Sequence, residues 1–310
     1  MHVVVASHHR LPVEGYGGPQ RVVVALVQGL ATLGHRVTVL AQPGTRLPAA
    51  SRVIEIPARE LKNNVDLTPF LPDNADILHA HFPLKQGPKS VPFVQTLHSN
   101  WKPGTALPPH TIFLSHDHAR RHGSDSFVYN GLDPADLIFR PRKEQWDLFL
   151  GKLHSDRGYH WAIEAAKRSG RRLIVAGGWR PSFTGVIKYV GEVAGRRKAV
   201  LLARARCLWM PAQWDEPFGL PTIEALFSGT PVLGTKRGAL PEIITPDVGA
   251  VCGTLDEMLA AAETIGTREP RACRARAERW FTHLVMAGEY VRMYQALISS
   301  GKLPTGREAR

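Results

Sequence analysis

Residues 2–41, HVVVASHHRLPVEGYGGPQRVVVALVQGLATLGHRVTVLA, read as strand, glycine-rich turn, helix and strand. HVVVAS is a short β-branched run, GYGGPQ a turn, RVVVALVQGLATLG an apolar helix closed by Gly34, and HRVTVLA a second strand. Valine-rich strands without polar alternation, separated by a helix, mark a parallel sheet covered on both faces. Further along, ADILHAH (75–81), VPFVQTLH (91–98), TIFLSH (111–116) and DSFVYNG (125–131) continue the pattern. They bring the first half to six expected strands in one α/β domain.

A second cycle begins at Trp146. WDLFLGKL, RRLIVAGG, VIKYVGEV, CLWMPA, PVLGT and GAVCG read as strands. YHWAIEAAKRSG, AVLLARARC, LPTIEALFSG, PEII and LDEMLAAAETIG read as the helices or helical turns between them. PADLIFRPRKEQ, with two prolines and mixed charge, reads as the linker. The fold class expected is α/β: two Rossmann-like, doubly wound domains facing across a cleft, with boundaries at 1–139 and 140–280. Ligands of such folds bind beyond the carboxyl ends of the strands.

Composition narrows the classes. The 310 residues are 44% hydrophobic and 21% charged, the profile of a globular protein. No apolar run approaches the roughly 20 residues of a membrane-spanning helix, and the N-terminal apolar stretch is too short for a secretory leader. A cytoplasmic location is expected, with peripheral association at the inner membrane surface as its extension. Cys207, Cys252 and Cys273 form no C-x-x-C pair. Among the 14 histidines, His8-His9 and His116-x-His118 are weak as ligand pairs on their own, and no metal site is expected.

The formal net charge is +12 and the pI about 10.0, which brings anionic partners to mind. The basic residues are nevertheless scattered. Their densest groups, Arg120-Arg121, Arg171-Arg172, Arg196-Arg197-Lys198 and Arg271 to Arg279, read as solvated helix faces. No zinc-finger, RRM or KH signature accompanies them, and no nucleic-acid partner is expected. A dinucleotide cofactor is disfavoured too. The first turn lacks the G-x-G-x-x-G spacing, and the second strand ends in Ala41-Gln42-Pro43 with no ribose-binding acid.

The second half carries the chemistry. FLGKLHSDRG places Lys152 and Arg157 on one loop between a strand and a helix, where two cations can grip a diphosphate. Taken alone, they read equally well as solvated loop charges. DEPFGLPTIEALFSGTPV (215–232) holds Glu216 and Glu224 with seven residues between them, framing a Pro217-Phe218-Gly219 turn. A carboxylate accepts from two vicinal hydroxyls at once, a feature shared by ribose and hexoses.

That stretch resembles the Glu, seven residues, Glu signature of the retaining glycosyltransferases of family 4. GGPQRVVVALVQGLATLGHRVTVLA resembles the family's opening, VYNGLDP its last N-domain strand, and FLGKLHSDRG its phosphate loop. DEPFGLPTIEALFSGTPVLGTKRGALPEII resembles its donor site. The resemblance implies a GT-B fold and transfer of a sugar from a nucleotide-sugar donor, a substrate and not a cofactor, with retained configuration and no metal. It implies that Glu224 binds the ribose and Glu216 the donor sugar, beside Phe218 and Gly219. Lys152 and Arg157 then bind the diphosphate, with the amides of Gly17 and Gly18 approaching it from the first domain. His98 lines the sugar side, a backbone-bonded strand-end histidine being the alternative. Catalysis falls to His98, Glu216, Lys152 and Arg157, through a front-face displacement. The last segment, 281–310, is expected to fold as two short helices broken near Ala287-Gly288, packing back on the first domain.

This sequence departs from the family's pattern in three places. The phosphate loop runs Lys then Arg instead of Arg then Lys, Gly238-Ala239 replaces a common glycine pair, and the first domain is short. The acceptor stays unassigned, with an anionic or membrane-associated one expected. Two other readings stay open: a GT-B relative acting as epimerase or phosphorylase, and a basic, non-catalytic binding protein.

Overall fold

The computed structural model describes every residue except 14, 16, 63–65, 85, 86, 103, 104, 183 and 310, and the Lys62 side chain. Tyr16 of the glycine turn and Arg310 at the end of the last expected segment therefore lie outside the described residues. The chain divides into two compact units. Met1–Leu132 and Phe281–Glu308 form the first, and Asp133–Trp280 with Ala309 the second.

The first unit contains β1 (His2–Ala6), α1 (Gly18–Thr32), β2 (Arg36–Ala41), β3 (Arg52–Glu55), α2 (Ala58–Lys62), β4 (Ile77–Ala80), β5 (Phe93–Thr96), β6 (Thr111–Ile112) and α3 (His116–Arg121). The second contains β7 (Asp147–Leu150), α4 (Tyr159–Ser169), β8 (Leu173–Ala176), β9 (Ile187–Tyr189), α5 (Gly195–Arg204), β10 (Leu208–Met210), α6 (Leu220–Phe227), β11 (Val232–Thr235), α7 (Leu240–Ile243), β12 (Gly249–Cys252), α8 (Leu255–Thr264) and α9 (Pro270–Trp280). The final helix, α10 (His283–Ser300), returns to the first unit.

Both sheets are parallel and six-stranded, in the orders β3-β2-β1-β4-β5-β6 and β12-β11-β10-β7-β8-β9. Each is the Rossmann order, and the order reverses between β1 and β4 in one unit and between β7 and β10 in the other. β1 sits at the centre of its sheet. Val3, Val4 and Val5 have no exposed surface, each contributing about 1.5–3 kcal/mol of burial.

The sixth strand of the first sheet differs from expectation. It is β3, RVIE, whereas DSFVYNG joins only through an isolated bridge between Phe113 and Phe127. β3 lies at the sheet edge with exposed Arg52 and Glu55, so it carries no apolar run to mark it.

The segment read as a linker is packed into the second unit. The Lys143 ammonium donates to the carbonyls of Ala203 and Ser228 and to Thr230 Oγ1, at 2.8–2.9 Å, and the Arg140 amide donates to the Ser228 carbonyl. These bonds close the carboxyl-terminal end of α5 and the end of α6, where helices leave carbonyls unpaired. The first unit consequently ends at Leu132, ahead of the 139/140 junction read from the sequence.

The expected break at Ala287-Gly288 is absent. α10 runs through both residues, and the break falls at Phe281-Thr282. Thr282 Oγ1 accepts from the Val285 amide at 3.1 Å, an N-cap that starts the helix there and offsets the cost of about 1 kcal/mol of the exposed mid-helix Gly288. α10 packs on α1 at Gly29, where an added Cβ would lie 2.5 Å from the His283 carbonyl oxygen. Among the described residues no helix is long and apolar enough to cross a membrane.

Candidate functional site

In the second unit the loops after β7 and β10, neighbouring strands at the switch point, are bound together. After β7, Lys152 is exposed, and a helical turn over Ser155–Arg157 delivers Arg157. Gly158 then adopts φ +68°, with its Cα against the Pro211 carbonyl; an added Cβ would overlap that oxygen at 1.7 Å. The Gln213 amide donates to the Asp156 carbonyl at 2.7 Å. Only glycine permits this approach.

Arg157 is thereby held beside Glu216. Its Nη1 donates to Glu216 Oε2 at 2.5 Å, Trp214 Nε1 donates to the same oxygen at 3.1 Å, and the guanidinium lies 4.7 Å above the Trp214 ring. Glu216 is 7% exposed. Burial pushes its carboxyl above the usual carboxylate range, while Arg157 and the Trp214 hydrogen bond pull against that shift. Among the described residues, no donor reaches Oε1 of Glu216 and no acceptor takes a hydrogen bond from Nε or Nη2 of Arg157. One carboxylate oxygen and two guanidinium donors are thus left for a ligand.

The Glu216 loop is clamped from behind. The Ala239 amide donates to the Glu216 carbonyl at 2.9 Å. Gly238, at φ +58°, lies so close that an added Cβ would sit 2.2 Å from that carbonyl oxygen. In this Gly238-Ala239 pair the first glycine is required by contact and conformation, and the second position needs only its amide. Gly219, at φ +87°, turns the chain into α6, and Phe218 is buried beside it.

Glu224 lies on α6 and is 1% exposed, so a solvated helical glutamate is ruled out. Lys198 Nζ on α5 donates to its Oε1 at 2.6 Å. Sequence reasoning missed this lysine by assigning it to a solvated basic face. The signal was present: Lys198 stands four residues before the buried Leu202, on the inward stripe of α5.

The first unit holds the other expected residues. Gly17 caps α1 and Gly18 begins it, so their amides belong to the unpaired donors of a 15-residue helix. His98 is half-buried just beyond β5, and its Nε2 lies 2.9 Å from His81 Nδ1. Its structural partner is therefore a second histidine and not the backbone. Burial, with His8 and His9 nearby, lowers the His98 pKa to about 4, so the ring is neutral at neutral pH. Among the described residues no three His, Cys, Asp or Glu side chains converge as a metal ion needs.

Comparison with known proteins gives the family and the fold. A family model described as Glycosyltransferase Family 4 matches residues 16–138, and one described as Glycosyl transferases group 1 matches residues 139–266. The phosphatidyl-myo-inositol mannosyltransferase of Mycobacterium tuberculosis is 25% identical, over 92% of this chain and 94% of its own length. Glycogen synthase of the same organism is 30% identical over 48% of this chain, and the chain spans only 41% of its length. Among solved structures, AviGT4, a glycosyltransferase involved in avilamycin A biosynthesis, superposes with a TM-score of 0.81 at 28% identity, covering 96% of this chain and 98% of its own. Anabaena HepE in complex with UDP superposes with a TM-score of 0.70 at 15% identity, covering 96% and 100%.

Proposed function

We propose that this chain, which belongs to the family 4 glycosyltransferases of GT-B fold, moves a sugar from a nucleoside-diphosphate donor to an acceptor hydroxyl with retention and without a metal. The observation that carries the reading is the arrangement of Arg157. It is fixed at the carboxyl end of the switch-point strands by Glu216 and Trp214, with Nε and Nη2 unspent among the described residues. A guanidinium so oriented suits the fork geometry of a phosphate.

In this reading Arg157 and Lys152 hold the diphosphate, and Glu224, oriented by Lys198, accepts from the ribose hydroxyls. Glu216 presents Oε1 to hydroxyls of the transferred sugar, beside Phe218 and Gly219. From the first unit, His98 is assigned to the sugar and the amides of Gly17 and Gly18 to the diphosphate. The bond from the anomeric carbon to the diphosphate oxygen breaks as charge grows on the leaving group, which the two cations stabilise in place. The acceptor oxygen forms its bond on the same face, and its proton passes to the departing phosphate. The two cations supply the charge stabilisation a metal would otherwise provide.

The +12 charge supports an acceptor that bears phosphate or lies at an anionic membrane surface. A thermal-shift screen with UDP, GDP, ADP and TDP and their sugars tests the reading, because a ligand that binds only the folded state raises its melting temperature. Stabilisation by one nucleotide and its sugar is expected. No shift with any of them contradicts a donor site.

A further inference from the structure

The end of β4 holds histidines to which the transfer chemistry gives no part. His79 and His81 lie two residues apart, as do Thr96 and His98 at the end of the neighbouring β5, so each pair points to one side of its strand. The inner layer ties the strands to α10. His79 Nδ1 lies 2.6 Å from the Tyr294 hydroxyl and its Nε2 lies 2.8 Å from Thr96 Oγ1, which meets the Tyr290 hydroxyl at 2.9 Å. His81 stacks on this layer, its ring 4.2 Å from that of His79, and reaches outward to His98.

Two imidazole nitrogens 2.9 Å apart share one proton: one ring donates and the other accepts. Which ring donates follows from the far side of His81. The residue is 6% exposed, and its Nε2 is buried without a hydrogen-bond partner among the described residues. Were His98 Nε2 the donor, neutral His81 would carry its own proton on Nε2, a buried N–H with no acceptor. With His81 Nδ1 as the donor, the orphan is a lone pair. Buried N–H groups without acceptors are the rarer outcome in folded proteins.

We infer that His81 is a positioning residue whose Nδ1–H donates to Nε2 of His98 and so fixes His98 as its Nδ1–H tautomer. Resting on the assignment of His98 to the donor sugar, this makes His98 a neutral hydrogen-bond donor to a sugar oxygen and not a base. It also explains why a histidine layer, itself locked to α10, underlies that residue.

The tautomer is read without any ligand, by long-range proton–nitrogen correlation on protein labelled with ¹⁵N-histidine, with His98→Gln identifying the signal. At neutral pH His98 should show a protonated Nδ1 and a bare Nε2. In His81→Leu it should change to the Nε2–H form that imidazole prefers in water, and turnover should fall about tenfold, the worth of one neutral hydrogen bond. His81→Asn, whose amide nitrogen can stand in for Nδ1–H, should restore both the tautomer and the turnover. An Nε2–H tautomer for His98 in the parent protein overturns the inference, even if His81→Leu fails to fold. The expected tautomers with unchanged turnover in a folded His81→Leu leave the positioning intact and contradict the assignment of His98 to the sugar.

Discussion

Arg157 and Glu216, 59 residues apart in sequence, meet through a single hydrogen bond of 2.5 Å between Nη1 and Oε2. The cation assigned to the leaving group and the carboxylate assigned to the sugar are therefore one unit. Substituting either one acts on both.

The first prediction concerns that pair. Glu216→Gln keeps an oxygen for Arg157 and Trp214 but removes the charge that partly neutralises the guanidinium. Free nucleoside diphosphate should bind equally or more tightly, while turnover drops by about tenfold or more, because Glu216 is assigned to the transferred sugar, which the free nucleotide lacks. Calorimetry beside steady-state rates separates the two effects. Weaker nucleotide binding with unchanged turnover would reverse the assigned roles.

A second prediction isolates the contact at Gly158. Gly158 and Gly170 share left-handed backbone, at φ +68° and +67°, but only Gly158 has an atom within 4 Å of an added Cβ. Gly170→Ala should cost about 1–2 kcal/mol, the conformational penalty alone. Gly158→Ala should cost about 1–3 kcal/mol more through overpacking, and should weaken nucleotide binding by displacing Arg157. Equal costs by denaturant unfolding would mean that the two loops are not fastened there.

Lys198→Met should be among the most damaging single substitutions on α5. It removes the ammonium that donates to the carboxylate of Glu224, in a site where that residue is 1% exposed. Removing one partner of a buried pair costs about 3–5 kcal/mol. Adding Glu224→Gln should recover part of the loss without restoring nucleotide affinity. If Lys198→Met unfolds at the parent's denaturant midpoint, the pair contributes nothing to the second unit.

Much of the fold was legible in the sequence because the central strands are valine-rich and enclosed on both faces, and the loops between them carry glycine and proline. The edges were not legible. RVIE at 52–55 pairs on one side only and shows charge at both ends, whereas Phe127 to Tyr129 are buried without forming a strand. At the site, Glu216, Glu224 and Arg157 stood out by type and spacing. Lys198, Trp214 and His81 did not, since their part is to orient a neighbour distant in sequence. Gly158 and Gly238 owe their identity to backbone contacts that exist only once the loops have met.

Acid should destabilise the first unit before its carboxylates titrate. Burial lowers the pKa of His79 and His118 to about 3 and of His98 to about 4, while the unfolded chain binds protons near 6.5. The unfolded state therefore takes up protons first, and stability falls as the pH drops below 6.5. Well above that pH both states are neutral and the contribution flattens. Unfolding free energies at pH 7.5, 6.5 and 5 should fall slightly across the first step, as the unfolded histidines begin to protonate, and several-fold more across the second. A rise between pH 6.5 and 5 would contradict the buried neutral histidines.

The central claim, a metal-independent diphosphate site built on Arg157, is tested most directly by calorimetric titration. The nucleoside diphosphate selected by the donor screen is titrated in EDTA into the parent protein and into Arg157→Ala. The account predicts saturable binding in chelator for the parent and a loss of about tenfold or more in affinity for the variant, the worth of a charge-assisted hydrogen bond. Equal affinity in the two proteins, or binding that appears only when a divalent metal is restored, would contradict it.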